Sequence, residues 1–154
     1  MMSRLLSRIV SLSIAAVTLG GTAQAGEVNA DHGLAIKGYD AVAYFIDHKP
    51  VQGTPTFSYD HAGATYEFAS DAHRKLFAAN PDKYLPQFDG FCAYGVAQGH
   101  KADIDPAAFT IVHDRLYLNY NQQVRATWRK DVPGYIQKAE SAWPSVSQQA
   151  EVIR

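Results

Sequence analysis

The chain has 154 residues, a single cysteine and a nearly balanced charge, with 14 basic side chains against 15 acidic ones. It contains neither a basic stripe nor a run of like charges, which argues against a nucleic acid or an anionic lipid as its partner. One cysteine excludes a disulfide within the chain and any local zinc or haem motif that needs paired cysteines.

The first 25 residues have the features of a cleaved export signal. Arg4 and Arg8 form a basic start, residues 9–19 are mostly apolar, and Ala-Gln-Ala at 23–25 has the small residues after which signal peptidase cuts. The apolar run is shorter than the ~20 residues of a transmembrane helix. We therefore expect a periplasmic or secreted product, with no stable membrane insertion after cleavage.

The rest of the chain is long enough for one domain with a modest hydrophobic core. We assign this domain to residues 26–143, in which no internal repeat is evident. Residues 144–154 contain no aromatic side chain and are rich in Ser and Gln. This composition predicts a flexible tail.

The first half of the domain contains signals for two helices and a hairpin. Asp40 precedes good helix formers, and its carboxylate can cap a short helix. Residues 56–59 and 65–68 are rich in β-prone side chains and are separated by a glycine-containing turn, which predicts a hairpin. Ser70 can cap a further helix, which should end before Pro81 because the residue preceding a proline disfavours the helical conformation.

The second half of the domain centres on Cys92. Glycines before and after it predict either a short helix between flexible joints or a loop in close contact with its surroundings. Residues 109–112 and 116–119 predict a second hairpin. Two helices follow, marked by side chains at helical spacing: Tyr120, Val124 and Trp128, then Tyr135, Ile136, Ala139 and Trp143. The mixture predicts an α+β class, a small single domain with two β-hairpins and several short helices.

Cys92 is the first candidate for chemistry. A soft thiolate suits Cu(I) or zinc, and imidazole suits copper and zinc, so the cysteine and a histidine could form a metal site. The apolar neighbours Phe91 and Val96 favour instead a buried, unreactive thiol, because burial raises the pKa of a cysteine. The residues alone leave both interpretations open.

His73 is the histidine best suited to join Cys92. It falls on the apolar face of its predicted helix, beside Leu76 and Phe77. An inward imidazole needs a partner, because an unpaired buried polar group costs about 1 to 3 kcal/mol. That partner is either a backbone carbonyl of the core, or a metal ion or the thiol. His100 is a weaker candidate, because eight residues of continuous helix would place it about 12 Å from Cys92.

Several short motifs occur together in an order and spacing typical of one family. They are residues 38–45 (GYDAVAYF), residues 66–70 (YEFAS), His73 with Phe77, Pro81 and Tyr84, residues 90–96 (GFCAYGV), Asp105 with Pro106, and residues 116–121 (LYLNYN). In these motifs the chain resembles the exported bacterial proteins built around a YHS domain. The resemblance implies a small α+β fold and a link to heavy metals, chiefly copper, without an established reaction. Family members often carry a cysteine where this chain has Ala69, so Cys92 would have to supply the thiolate.

Three functions follow as hypotheses. The first is a periplasmic protein that binds a soft metal ion, copper above all, through Cys92 and His73. The second is a thiol-dependent redox enzyme in which the Cys92 thiolate attacks its substrate. The third is a ligand-binding or interaction module without catalysis.

Overall fold

The computed structural model describes residues 27–154, and the predicted export signal lies outside these residues. Eight strands and five helices alternate with short 3₁₀ turns. They are β1 Ala30–Asp31, β2 Leu34–Ala35, α1 Ala43–Ile46, β3 Thr54–His61, β4 Ala64–Phe68, α2 Asp71–Ala79, α3 Ala93–Ala97, β5 Lys101–Ala102, β6 Asp105–Val112, β7 Arg115–Asn119, α4 Gln122–Trp128, α5 Val132–Val146 and β8 Val152–Ile153. The predicted α+β class is confirmed, and so are both hairpins, β3–β4 and β6–β7.

Three small sheets contain all of these strands. The first has the strand order β1-β2-β4-β3, the second pairs β6 with β7, and the third pairs β5 with β8 in parallel. Among residues 27–154, no helix is both long and apolar enough to cross a membrane.

Two parts of the fold contain the same elements in the same order. The series β3, β4, α2 recurs as β6, β7, α4. Each element of the second series begins 51 residues after its counterpart: the first series begins its elements at positions 54, 64 and 71, and the second at 105, 115 and 122. Both hairpins are antiparallel and have an irregular register in the first strand. Their turns also match, because Ala62 and His113 have left-handed φ values of 49° and 48°.

The segments ahead of the two hairpins correspond as well. Residues 36–38 have φ values of 51°, 52° and 80°, and residues 88–90 have 56°, 50° and 81°, so each segment forms a left-handed turn that ends in glycine. A short helix follows each turn, α1 in one case and α3 in the other. We call residues 34–79 the first unit and residues 86–128 the second unit. Asp40 and Cys92 occupy equivalent positions in them, two residues after the glycine.

This duplication corrects the expectation that the chain contains no internal repeat. Few positions of the two units hold the same residue, and the matches we find are Gly38 with Gly90, Ala41 with Ala93, Pro55 with Pro106, Tyr66 with Tyr117, and Arg74 with Arg125. The fold requires a glycine with positive φ, a hydrogen-bond acceptor at the start of a helix and apolar faces. Many residue types meet the last two requirements, so the sequence can diverge while the fold persists.

The main hydrophobic core draws on both units. Its buried members include Tyr44, Phe68 and Phe77 from the first unit and Cys92 and Leu118 from the second. Helix α5 lies outside the duplication and packs against α3, where Ala139 and Val146 meet Phe91 and Val96.

Residues 144–154, the expected flexible tail, have defined positions in the structure. Residues 144–146 form the last part of α5, and β8 pairs with β5. The side chain of Lys101 donates to the carbonyl of Gln149 at 2.8 Å, and Arg154 lies 3.9 Å from Asp103. Backbone pairing and these side-chain contacts hold the segment in spite of its polar composition.

Candidate functional site

Asp40 is a fully buried carboxylate at the start of α1. Its Oδ1 atom accepts hydrogen bonds from the backbone amides of Val42 at 2.9 Å and of Ala43, the first residue of α1, at 3.1 Å, so the side chain caps the turn that leads into the helix. Its Oδ2 atom accepts from the amide of Ala69, at 2.9 Å, just after β4. The carboxylate therefore joins α1 to the end of the β3–β4 hairpin.

His73 lies in the first turn of α2, which Ser70 caps by accepting from the His73 amide at 3.1 Å. The imidazole Nδ1 is 2.7 Å from Oδ2 of Asp40, and the His73 side chain is 15% exposed. The sequence indicated that His73 needs a partner, and the structure identifies that partner as a buried carboxylate rather than a backbone carbonyl. Because the two residues lie 33 positions apart, no local pattern could have paired them.

The Asp40 carboxylate favours one tautomer of the His73 imidazole. An ionised carboxylate only accepts hydrogen bonds, so it favours the tautomer with the proton on Nδ1 and a lone pair on Nε2. Within residues 27–154, Nε2 has no hydrogen-bond partner. A histidine held in this way resembles metal-ligating histidines, whose other nitrogen donates to a carboxylate or a carbonyl. The same arrangement also suits a general base.

Cys92 caps α3 from the equivalent position in the second unit. The side chain is 1% exposed, and its sulfur accepts from the amide of Gly95 at 3.4 Å and from that of Tyr120 at 3.2 Å. The side-chain amide of Asn119 lies 3.9 Å from the same sulfur. Burial raises the pKa of the Cys92 thiol, although these hydrogen bonds act in the opposite direction.

Asp40 and Cys92 thus have the same structural role, that of a hydrogen-bond acceptor. Each accepts from an amide in the helix that it caps and from the residue that follows the second strand of its hairpin, Ala69 in one unit and Tyr120 in the other. The position that corresponds to His73 in the second unit is Val124. The fold therefore needs an acceptor at the cap but can dispense with the histidine.

The two predicted metal ligands are not joined in the structure. His73 bonds to Asp40 in the first unit, whereas the Cys92 sulfur bonds to groups of the second unit. Nowhere in the described part of the chain do three side chains of the His, Cys, Asp and Glu types form a group that could hold a metal ion. The roles of Cys92 and His73 as metal ligands stay predictions.

Comparisons with models of protein families, with curated proteins and with solved structures found no match to this chain. The likeness to YHS-domain proteins accordingly stays a prediction from the motifs.

Proposed function

We propose that this protein is an exported metal-binding protein that uses the Nε2 atom of His73 as its leading ligand for a soft or borderline ion, with copper as the favoured ion. One observation carries the proposal: the buried carboxylate of Asp40 holds Nδ1 at 2.7 Å, which leaves the lone pair of Nε2 available. A carboxylate behind a histidine orients the ring and makes it a more basic ligand, and removal of such a partner costs about 10-fold to 100-fold in metal affinity.

The internal duplication supports this assignment. The shared fold forms without a histidine at this place, since the second unit has Val124 beside the thiol of Cys92. The Asp40–His73 pair is therefore an addition to the shared fold rather than part of its minimum. A buried carboxylate also keeps its partner imidazole in place at little entropic cost, since Asp40 is itself fixed by three backbone amides.

Cys92 is the second ligand that the proposal considers. Its softness suits Cu(I), but a metal binds the thiolate, and burial raises the pKa of this thiol. A metal ion would also have to reach a sulfur whose residue is only 1% exposed. The proposal therefore rests on His73, and the donors that complete the coordination would come from water, a second chain or an external ligand.

A competition titration with Cu(I) under reducing conditions tests the proposal. We expect His73→Gln to weaken binding at least about tenfold and Asp40→Asn to weaken it to a similar extent, because the second change disturbs the orientation of the ring. The matched control is His32→Asn, which removes an imidazole whose side chain is 95% exposed. Cys92→Ser reports separately on the thiol.

The result is decisive only for folded variants, so each is first compared with the wild type by circular dichroism. Equal Cu(I) affinity of the folded His73→Gln variant and the wild type would refute the proposal. A loss in His73→Gln without a loss in Cys92→Ser would keep His73 as a ligand and remove Cys92.

A further inference from the structure

A cleft that Cys92 does not line runs between the β3–β4 turn and the left-handed turn at residues 88–90. Its volume is about 230 Å³. The residues that line it include His61, Tyr66, Leu85, Phe88 and Asp89. A cavity needs only about 10 to 15 Å³ of such space to hold one water molecule, so the cleft has room for a small organic molecule.

Asp89 is a partly buried acid without a counter-ion in the described residues. Its carboxylate takes part in none of the ion pairs or side-chain hydrogen bonds found there, and burial raises the pKa of Asp89. Lys101 is the nearest influence of opposite sign, but its ammonium donates to the carbonyl of Gln149 and lies 4.9 Å from the centre of the Phe91 ring. Partial burial of a carboxylate without a partner has a free-energy cost, which a bound cation would offset.

The internal duplication supplies a comparison for this residue. Lys37 holds the position in the first unit that Asp89 holds in the second, and both have the left-handed conformation. Lys37 pairs with Asp103 at 2.9 Å. The charged side chain at this position thus has an ion-pair partner in the first unit. In the second unit it has none among residues 27–154.

Tyr66 adds a second polar group to the same cleft. The residue is 1% exposed, and its hydroxyl makes no hydrogen bond to any residue from 27 to 154. Buried tyrosines usually satisfy their hydroxyl, so a nearly buried phenol without a partner in a residue that lines a cleft favours a ligand that would bond there. The rings of His61 and Phe77 pack at 6.4 Å and 4.8 Å from the Tyr66 ring and hold it in place.

We propose that this cleft binds a small compound with a primary ammonium group, with the carboxylate of Asp89 as its counter-ion and the hydroxyl of Tyr66 as a hydrogen-bond acceptor. An ammonium has three donors and no acceptor, so it can satisfy both oxygen-bearing groups at once. Tyr66 and Phe88 also place aromatic rings at the cleft, and aromatic rings attract cations. A short aliphatic part would contact Leu85 and the other apolar walls.

The test is a titration of the isotopically labelled protein with 1-aminopropane, followed by NMR. We expect saturable shifts of the amide signals of Ala62, Tyr66 and Asp89, and no such shifts with 1-propanol at the same concentrations. Asp89→Asn should weaken binding about tenfold and Tyr66→Phe about threefold, because each removes one of the two polar contacts. Asp82→Asn, which neutralises an exposed acid outside the cleft, should bind as the wild type does.

Three outcomes would overturn the assignment. They are equal responses to 1-propanol and 1-aminopropane, wild-type affinity in a folded Asp89→Asn variant, and the same shifts on addition of potassium chloride at matched ionic strength. The last outcome would make the cleft a site for any cation. None of these results depends on His73, so this test and the copper titration can fail separately.

Discussion

Transfer of the Asp40–His73 pair into the second unit tests whether the two capping positions are equivalent. The change is the double substitution Cys92→Asp with Val124→His. Cys92→Asp alone places a carboxylate where two backbone amides and the Asn119 amide can donate, but where no imidazole is present. Burial of an incompletely compensated charge costs several kcal/mol, and the donors offset part of it, so we expect a loss of about 3 kcal/mol in the free energy of unfolding.

Val124→His alone should cost about 1 kcal/mol, because it replaces a partly buried apolar side chain. In the double variant the imidazole can bond to the new carboxylate as His73 does to Asp40. A hydrogen bond to a charged group contributes about 1.5 to 3 kcal/mol. The double variant should therefore be about 2 kcal/mol more stable than the sum of the single effects predicts.

Urea unfolding of the wild type, both single variants and the double variant, followed by tryptophan fluorescence, gives this coupling energy. The control cycle replaces Val124→His with Gln123→His, an exposed neighbour on the same helix, and should show no coupling. A coupling energy within about 0.5 kcal/mol of zero in the first cycle would refute the equivalence of Asp40 and Cys92.

Two further predictions concern the thiol. Cys92 should resist alkylation by iodoacetamide in the native protein at pH 7.5 and react once urea unfolds the chain, because it is 1% exposed and its pKa is raised by burial. Rapid alkylation of the native protein, measured by mass spectrometry, would contradict this and favour the redox-enzyme hypothesis. The raised pKa also makes the folded state hold the thiol proton more tightly than the unfolded state, whose thiol ionises near the ordinary value of 9.0. The stabilisation from Cys92 should therefore be complete below pH 9 and decline as the pH rises above 9 towards the raised pKa of the folded thiol. Urea midpoints should fall more steeply over this interval for the wild type than for Cys92→Ser, and parallel curves would contradict the assignment.

Local signals in the sequence predicted most of the elements. The caps at Asp40 and Ser70 mark the starts of α1 and α2, and alternation and turn residues mark the two hairpins. These features act over a few residues, which is why a single sequence displays them.

The sequence did not show which residues far apart in the chain contact each other. The sequence placed Asp40 at a helix start but could not link it to Ala69 or His73, because the hairpin that brings them together closes over some 30 residues. The sequence alone does not show the duplication either, because two different side chains, the carboxylate of Asp40 and the thiol of Cys92, accept the corresponding hydrogen bonds. A comparison of the two units' sequences matches residue types, whereas what the two units share at this position is a hydrogen-bond acceptor.

The contact between Tyr44 and the second unit has a consequence for how the chain folds. The Tyr44 hydroxyl donates to the carbonyl of Pro106 at 2.8 Å, and its ring lies 4.9 Å from that of Phe109. In repeat proteins with separable units, each unit contacts only its neighbours, so the units can fold one after another. Here the interior is shared, so the two units should melt in one cooperative transition, and neither would retain a solvent-shielded interior if it were expressed alone.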